Sequence, residues 1–445
     1  MGSVQKPEDS KLNVAIIGGG LGGLALSIGL LPYRDHLNIK IYEAASRFSE
    51  IGAGVASGPN AVRTLGLISP DILKGYRKCA TFNATEDRDN AWLSFRYGMD
   101  SRSEDGKKLD LIYDVGETGK PLSELSEILT REGIRRRSCV HRARFLDEMA
   151  ALIPDGMAKF GKTLVRVEEL GIGNEPLKLS FEDGQMAFAD VVIGCDGIKS
   201  AMRKFVMEKQ SIEPRFTNSF AYRAMVPSDV ARKAIGDDLA LNGQLYLGYG
   251  GYIITYPVEH GDLINMAALK QTQGIEWDKK NWIMPATEEE ILSDLEGYDD
   301  KLVQLVSEYS TGDRWGLFDL SHSQKYYRGR TCVMGDAAHA STPHLGAGSG
   351  MAFEDAYVLS RLFEGIKKTN DIEKALAAYD AVRRPRSQKL IEDSKKAGEI
   401  VSFSHADFGD DVTNIPQEID ALYEWVWDFD LEGSLLQAKR LSGLF

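Results

Sequence analysis

Residues 13–26 read Asn-Val-Ala-Ile-Ile-Gly-Gly-Gly-Leu-Gly-Gly-Leu-Ala-Leu. The unbroken apolar run before the glycines is typical of a strand that is buried on both faces of a parallel sheet. Gly18, Gly20 and Gly23 then follow with Gly-x-Gly-x-x-Gly spacing. Glycine at these positions allows a tight turn, a close approach of the backbone to a pyrophosphate, and close packing of the next helix on the strand. The stretch therefore predicts an α/β fold with a dinucleotide at the N-terminus of a helix.

An acidic residue follows these glycines at the distance that is typical of dinucleotide sites. Residues 39–43 read Ile-Lys-Ile-Tyr-Glu, which predicts a second strand that ends in Glu43, twenty residues after Gly23. A carboxylate at this position accepts hydrogen bonds from an adenosine ribose. No basic residue takes its place, which favours a plain ribose over a 2′-phosphate. The alternative interpretation is a glycine-rich turn that binds nothing.

Composition narrows the class of protein. The chain has 445 residues, 43% of them hydrophobic, and this length predicts two lobes with a full core. Its net charge of −13 argues against a general nucleic-acid binder, because phosphate backbones favour an excess of Lys and Arg. The histidines and cysteines show no metal-ligand spacing, so we expect no metal site. The polar N-terminus and the lack of a sufficiently long apolar run predict a cytoplasmic protein with no membrane span.

The four cysteines form no Cys-x-x-Cys pair. Cys195 and Cys332 lie in apolar, strand-like runs, which predicts buried free thiols in a reducing compartment.

Two stretches could place backbone or charge beside a ligand. Residues 51–61 carry three glycines, which either let the backbone pass close to a flat ligand or form an ordinary turn. Arg142 begins a predicted helix that continues to Leu152. A cation gains nothing from the helix dipole at that end, so Arg142 either serves an external group or is an ordinary surface residue.

A second candidate contact follows another apolar strand. Residues 189–195 predict this strand, and Asp196 and Gly197 follow it directly. At the C-terminal edge of an open α/β sheet such a pair is placed for ligand contact, although a simple turn would have the same sequence.

A third glycine-rich segment follows a short predicted strand at residues 331–334, which ends in Gly335 and Asp336. Its remaining turn residues are Pro343, Gly346, Gly348 and Gly350. A helix then begins, so its exposed backbone N–H groups, together with a preceding carboxylate, suit a ligand that develops negative charge. The alternative is a loop without function. Further on, a long helix is expected to break near Pro385 and to resume through Ile400.

Residues 215–325 are rich in alternating, aromatic segments and predict a second lobe. The expected strands are Phe220–Val226, Gln244–Tyr249, Tyr252–Pro257, Leu263–Leu269 and Trp315–Leu320, and the expected helices are Glu288–Leu295 and Asp300–Tyr309. Arg223 lies inside the first of these strands, and Tyr256 lies at the end of the third. A buried arginine needs a partner, which is either an acidic side chain or an anionic ligand.

Together the three glycine-containing motifs resemble those of the FAD-dependent aromatic hydroxylases, the group A flavoprotein monooxygenases. Within that family, the chain is most similar to the salicylate-hydroxylase-like enzymes of fungal polyketide pathways. The resemblance covers nearly the whole chain, and the three motifs in this order are highly specific. It implies that FAD is bound by Gly18, Gly20, Gly23, Glu43, Ala53, Gly54, Ala56, Arg142, Asp196, Gly197, Asp336, Pro343, Gly346, Gly348 and Ser349.

The resemblance also implies a reaction. NAD(P)H would reduce the flavin, and O₂ would then form a flavin hydroperoxide that hydroxylates an electron-rich phenolic ring of resorcinol or salicylate type. Arg223 and Tyr256 match an arginine and a tyrosine with catalytic or substrate-positioning roles in the fungal members. A cation at Arg223 would lower the pKa of a phenol, and Tyr256 would fix which carbon faces the flavin. The sequence does not decide between simple hydroxylation and hydroxylation with dearomatisation.

The resemblance implies a Rossmann-type FAD-binding domain, with a parallel sheet and helices, beside a β-rich substrate domain and a helical C-terminus. The FAD-binding domain is expected in three parts, at residues 1–84, 139–214 and 326–400. Residues 85–138 would be an insertion that contributes to the substrate domain at residues 215–325, and residues 401–445 a helical tail. We expect a monomer or a homodimer that binds a small aromatic substrate and no nucleic acid.

Two other functions remain open from the sequence. One is an FAD-dependent oxidase or reductase that acts on a non-aromatic substrate. The other is a non-catalytic binding protein on the same fold, which keeps the glycine motif without a working flavin. Asp336 and the glycine-rich helix start argue against the second of these.

Overall fold

The first glycine-rich turn lies between a strand and a helix, as the sequence predicts. The computed structural model describes residues 11–48, 54–85, 88, 91–102, 108–116, 138–171, 175–278 and 281–445. Its strands are β1 (Leu12–Ile17), β2 (Leu37–Tyr42), β3 (Gly54–Ser57), β4 (Ser94–Tyr97), β5 (Leu111–Asp114), β6 (Ser138–His141), β7 (Ala158–Lys159), β8 (Leu164–Glu169), β9 (Leu177–Phe181), β10 (Met186–Ala189), β11 (Val191–Gly194), β12 (Arg215–Pro227), β13 (Gln244–Gly248), β14 (Gly251–Val258), β15 (Leu263–Gln271), β16 (Ile283–Pro285), β17 (Asp313–Asp319), β18 (Tyr327–Arg328) and β19 (Thr331–Val333).

The α-helices of the described residues lie mainly in the first 80 residues and after residue 200. They are α1 (Leu21–Leu30), α2 (Pro59–Ile68), α3 (Pro70–Cys79), α4 (Arg142–Ala150), α5 (Ala201–Met207), α6 (Ser228–Ile235), α7 (Asp237–Leu241), α8 (Glu288–Asp294), α9 (Asp300–Tyr309), α10 (Asp336–His339), α11 (Gly348–Leu362), α12 (Thr369–Val401), α13 (Ile415–Trp427) and α14 (Leu431–Ser442).

A six-stranded sheet contains the first glycine-rich turn. Its order is β18-β19-β11-β1-β2-β7, and all neighbours are parallel except β18 and β19. The central strand β1 is buried along most of its length, which explains its unbroken apolar run. Because the strands are parallel, the C-terminal ends of β1, β2, β11 and β19 meet at one edge of this sheet. The turns after these strands therefore come together.

An eight-stranded sheet forms the β-rich part of the molecule, in the order β16-β17-β12-β15-β14-β13-β4-β5. Its strands are antiparallel except for the pair β13 and β4. The predicted strands of residues 215–325 are confirmed, although β12 begins five residues earlier than expected, at Arg215. The mixed α/β class, with a parallel sheet, a second β-rich sheet and a helical C-terminus, is confirmed as well.

Helices α1 and α11 pack closely against each other. A Cβ atom placed on Gly29 would lie 2.7 Å from Ser360 Oγ, and one on Gly22 would lie 3.4 Å from the Ala352 side chain. A side chain at Gly29 would therefore collide with Ser360, while at Gly22 a Cβ atom would just reach van der Waals contact with Ala352. This close packing holds the N-terminal ends of both helices beside the same region.

The expected break near Pro385 is wrong. Helix α12 runs without interruption from Thr369 to Val401 and contains Pro385 in its interior. Proline removes one backbone hydrogen bond and usually kinks a helix. Here Arg383 and Arg386, on either side of the proline, are held against α11 by buried ion pairs, so tertiary contacts outweigh the local preference.

These ion pairs join two helices and one turn of the parallel sheet. Arg383 Nε lies 2.9 Å from Asp355 Oδ1, and the second oxygen of Asp355 accepts hydrogen bonds from Gly335 N at 3.0 Å and His339 Nε2 at 2.6 Å. Burial by itself would raise the pKa of Asp355, but His339 and Arg383 outweigh it and hold this pKa below its usual range. Arg386 binds Glu354 with two nitrogens, at 2.7 and 2.9 Å.

We expect Arg383→Met to lower the free energy of unfolding by about 3–5 kcal/mol, because it removes the buried cation that faces both Glu354 and Asp355. Arg384→Met is the matched control, since Arg384 is a more exposed residue that pairs with Asp380. The Arg384→Met substitution should lower the free energy of unfolding by less than about 1 kcal/mol. Urea unfolding measured by far-UV circular dichroism gives both values. Equal effects of the two substitutions would show that the buried network does not stabilise the fold.

Candidate active site

One cavity of about 740 Å³ lies where the parallel sheet faces the eight-stranded sheet. The predicted site residues that line it are Gly18, Gly20, Glu43, Gly54, Ala56, Arg142, Asp196, Gly197, Arg223, Tyr256, Asp336, Pro343, Gly346, Gly348 and Ser349. Gly23 lies behind this surface, in the first turn of α1, and Ala53 lies outside the described residues. Residues that are separated by more than 300 positions in the chain thus share one site.

The first wall of the cavity is the turn from β1 to α1. Gly18 has φ +100°, and a Cβ atom on it would lie 2.3 Å from the carbonyl oxygen of Cys195. A Cβ atom on Gly23 would lie 2.1 Å from the carbonyl oxygen of Gly18, so the helix start sits directly on the turn. The first intrahelical bond runs from Leu24 N to Gly20 O. The N–H groups of the first helical turn are therefore available to an anion.

Glu43 lies beside this turn, at the end of β2. Its Oε2 accepts a hydrogen bond from Gly19 N at 2.6 Å, and its Oε1 accepts one from Ala45 N at 2.7 Å. Each carboxylate oxygen can accept a further bond, so Glu43 can still bind a ribose hydroxyl. The two backbone bonds hold the carboxylate in place before any ligand arrives.

The second wall is the segment between β19 and α11. Gly335 and Gly346 have φ values of +56° and +59°, which explains why glycine stands at both turns. Asp336 is exposed to the cavity, and Gly348 and Ser349 line it at the first turn of α11. Since the first bond of this helix runs from Met351 N to Ala347 O, its earlier N–H groups are also available to a ligand.

Asp196 combines the two interpretations that the sequence left open. Its carboxylate caps α5, accepting from Ser200 Oγ at 2.6 Å, Ala201 N at 2.8 Å and Met202 N at 3.1 Å. Burial raises the pKa of Asp196, against the lowering effect of these hydrogen bonds. Asp196 and Gly197 also line the cavity, so the turn is both structural and exposed to a ligand.

The thiols of this region are free, as expected. Cys332 is buried, but Cys195 is only partly buried because it lines the cavity.

A small two-stranded sheet of β3 and β6 brings Gly54, Ala56 and Arg142 to the cavity. Gly54 pairs with His141 and Ala56 with Cys139, and Arg142 begins α4 directly after β6. A Cβ atom on Gly54 would lie 2.5 Å from the Tyr256 ring, so only glycine fits there without a shift. The Tyr256 hydroxyl donates to Gly54 O at 2.9 Å. The tyrosine of the eight-stranded sheet thus holds the strand that carries the predicted cofactor contacts.

Arg223 lines the cavity from β12. Its guanidinium lies over the ring of Trp315, 4.5 Å from the ring centroid, and it has no ion pair with any described residue. Burial lowers the pKa of the Arg223 guanidinium, an effect that Tyr256 opposes and Arg142 increases. Of the two partners that the sequence allowed, an acidic side chain is not found among the described residues.

Two further residues line this part of the cavity and a third contacts one of them, and sequence reasoning missed all three as site residues. Tyr252 and Asn265 line the cavity, and the Tyr252 hydroxyl is 2.8 Å from His344 Nδ1. Burial lowers the pKa of His344 to about 4, so its ring is neutral at physiological pH. The alternation of β14 and β15 puts Tyr252 and Asn265 on the face of Tyr256 and Arg223, and this pattern could have indicated them.

The arrangement of polar groups fits FAD. Two helix N-termini, those of α1 and α11, face one cavity, and a carboxylate accompanies each, Glu43 and Asp336. The N-terminus of α1 suits a pyrophosphate, and Glu43 suits a ribose. The N-terminus of α11 suits the part of a reduced flavin that carries negative charge. Among the described residues no group of three or more His, Cys, Asp or Glu could hold a metal ion.

Comparison with known proteins supports the same cofactor. A family profile described as FAD binding domain matches residues 178–394. The chain is 39% identical to a 6-methylsalicylate 1-monooxygenase of Aspergillus terreus, with 97% of this chain and 92% of that protein covered. It is 34% identical to a salicylate hydroxylase of Pseudomonas putida, with 97% and 95% covered.

Comparison of structures leads to the same group of proteins. A solved structure described as a salicylate hydroxylase substrate complex superposes with a TM-score of 0.81 and 30% sequence identity. The match covers 96% of this chain and 98% of the other. The similarity therefore extends over both sheets and the C-terminal helices.

We expect Gly18→Ala to abolish FAD binding, because the added Cβ atom would collide with the Cys195 carbonyl at a positive φ. Gly184→Ala is the matched control: Gly184 has φ +79° in the turn between β9 and β10, with no atom within 4 Å of the added group. The control should lose about 1–2 kcal/mol of stability and keep its flavin. The flavin-to-protein absorbance ratio after purification measures binding. A flavin content of Gly18→Ala equal to that of the control would contradict this explanation of the turn.

The relatives named here are monooxygenases and hydroxylases, and each alignment spans nearly the whole of both chains. This favours a monooxygenase over the oxidase, the reductase and the non-catalytic binding protein that the sequence left open. Within the part of the chain that the structure describes, no helix has the length and apolar character needed to cross a bilayer. The chain belongs to the salicylate-hydroxylase-like family of FAD-dependent monooxygenases, whose members hydroxylate aromatic rings.

Proposed function

We propose that this protein hydroxylates a phenolic ring of salicylate or resorcinol type, using NAD(P)H and O₂. The observation that carries the proposal is Arg223, a cavity-lining cation without an ion pair among the described residues. A cation in such a position is compensated when an anionic ligand binds. The names of the relatives, which include 6-methylsalicylate and salicylate as substrates, support a ligand of this class.

Arg223 would bind the ring and change its reactivity. An adjacent positive charge favours the ionised form of a phenol and lowers its pKa. A phenolate is more electron-rich than a phenol, so its ring carbons react more readily with an electrophilic oxygen. Bound FAD would supply the redox chemistry, taking electrons from NAD(P)H and activating O₂. Trp315 holds the guanidinium by its ring face, which leaves the N–H groups of Arg223 available to the substrate.

Tyr256 would orient the ring. Its hydroxyl donates to Gly54 O, and a phenolic oxygen that donates its proton can also accept a hydrogen bond from a substrate hydroxyl. A ring held both by Arg223 and by Tyr256 has little freedom to rotate. Such positioning decides which ring carbon faces the flavin.

The other side chains of the cavity would exclude water. Ala221, Ile254, Leu269 and Leu317 present apolar groups to the space in front of Arg223. A dry pocket strengthens the attraction between the guanidinium and a phenolate, and it protects reactive oxygen species from water.

The remaining expectations stay predictions. These are the use of O₂ and NAD(P)H by this chain, its existence as a monomer or a homodimer, and a cytoplasmic location. NADH and NADPH consumption rates, measured in parallel, and the mass of the protein in solution would test the first two.

Arg223→Ala should reduce hydroxylation by about 100-fold or more while FAD stays bound, because the variant loses a charge-assisted contact to the ring. Arg232→Ala is the control, since Arg232 forms an exposed ion pair with Asp237 outside the cavity. The assay follows NAD(P)H oxidation in air with salicylates, resorcinol aldehydes and resorcinol ketones, and identifies products by mass and absorbance.

The proposal is supported if the unmodified protein and Arg232→Ala hydroxylate one class of ring and Arg223→Ala does not. The product also distinguishes simple hydroxylation from hydroxylation with loss of CO₂ or of aromaticity. Hydroxylation by Arg223→Ala at the parent rate would show that the assignment of Arg223 is wrong. If no ring stimulates oxidation although flavin is present, the substrate is not a phenol of these classes.

A further inference from the structure

The register of the eight-stranded sheet arranges the cavity-facing side chains in rows. Arg223 on β12 stands opposite Ala267 on β15, which stands opposite Ile254 on β14. One row further along, Asn265 on β15 stands opposite Tyr256 on β14. Asn265 is therefore the diagonal neighbour of Arg223 on the same face of the sheet. Diagonal neighbours are about 7–8 Å apart, so their side chains can reach one small ligand.

The hydrogen bonds of Asn265 determine the orientation of its amide. Asn265 Oδ1 accepts from Gly54 N at 3.2 Å, which requires the carbonyl side of the amide to face β3. The Nδ2 group then has no acceptor among the residues that the structure describes. Asn265 is only 8% exposed, and it lines the cavity. The Nδ2 donor therefore faces the cavity, where a ligand or water can accept its hydrogen bond.

Donors and apolar groups occupy different ends of this space. Arg223 and the row of Asn265 beside it offer N–H donors, whereas the rows on the other side of Arg223 carry the aliphatic side chains of Ala221, Leu269 and Leu317. A ring that carries an anionic group would place this group at the donor end. Its apolar substituents would then lie against the three aliphatic side chains.

We propose that Asn265 is a specificity-determining residue, which selects rings that bear a carboxylate ortho to the phenolic oxygen. Its Nδ2 would donate to this carboxylate, and Arg223 would face both the carboxylate and the phenolic oxygen. This inference rests on the proposed function and deepens it by choosing the acidic, salicylate-type ring. A carboxylate offers acceptor oxygens to both donors. A carboxamide of the same shape would turn an NH₂ group towards Arg223 or Asn265, and two donors facing each other in a dry site are strongly unfavourable.

Because Gly54 N needs only an oxygen acceptor, one substitution at Asn265 can remove the Nδ2 donor and keep this contact. Asn265→Asp keeps an oxygen acceptor for Gly54 N but replaces the Nδ2 donor by a second oxygen, which repels a substrate carboxylate and competes for Arg223. Asn218→Asp is the matched control, because Asn218 is an exposed amide of β12 that does not line the cavity. Both variants change one amide to one acid and leave the volume nearly constant.

The test measures the Kd of salicylate and of salicylamide by titration calorimetry on the FAD-loaded full-length protein without NAD(P)H, so that no turnover occurs. The unmodified protein and Asn218→Asp should bind salicylate more tightly than salicylamide. Asn265→Asp should raise the Kd of salicylate by about 10- to 100-fold and change that of salicylamide by less than about threefold.

If Asn265 had only a structural role, Asn265→Asp would raise the Kd of salicylate and of salicylamide by the same factor. This result would overturn the inference. Equal affinity of the unmodified protein for the two ligands would also overturn it, although hydroxylation of other phenols in the oxidation assay would leave the proposed function standing. If neither ligand binds and no phenol is hydroxylated, the proposed function fails and the inference with it.

Discussion

Two buried carboxylates in α11 hold the cofactor side of the molecule together. Glu354 and Asp355 are 1% and 0% exposed, so each must be neutralised inside the protein. Their cations, Arg383 and Arg386, come from α12, and Asp355 also binds Gly335 N at the end of β19. The position of the α11 N-terminus, and with it one wall of the cavity, therefore depends on ion pairs at a different place in the same helix.

Local chemistry explains why much of the fold could be predicted. The β1–α1 turn requires glycine at Gly18 because of its positive φ and the nearby Cys195 carbonyl, so the requirement is visible in the sequence. Strands such as β14 have alternating or apolar patterns that are legible without coordinates. Pro385 was misleading because the contacts that keep α12 continuous come from residues about thirty positions earlier.

The site could be predicted only in part, because local sequence motifs mark some of its residues and not others. Glycine motifs and acidic residues at strand ends marked the dinucleotide side, since the parallel sheet gathers those ends. Asn265 lies in no such motif. Strand alternation could have indicated its face of the sheet, but its position beside Arg223 and Tyr256 depends on the register of β15 against two neighbours. The identity of the partner of Arg223 was also undetermined by sequence. We propose a ligand as this partner because Arg223 has no ion pair with any described residue.

The close packing of α1 against α11 has a consequence for biosynthesis. The two walls of the FAD site belong to segments that leave the ribosome more than 300 residues apart, and α12 must follow before Asp355 gains its cation. The nascent chain therefore has an incomplete FAD site through most of translation. We therefore expect capture of the flavin to be a late event, and chains that end before α12 to be substrates for chaperones and proteases rather than partly active enzymes.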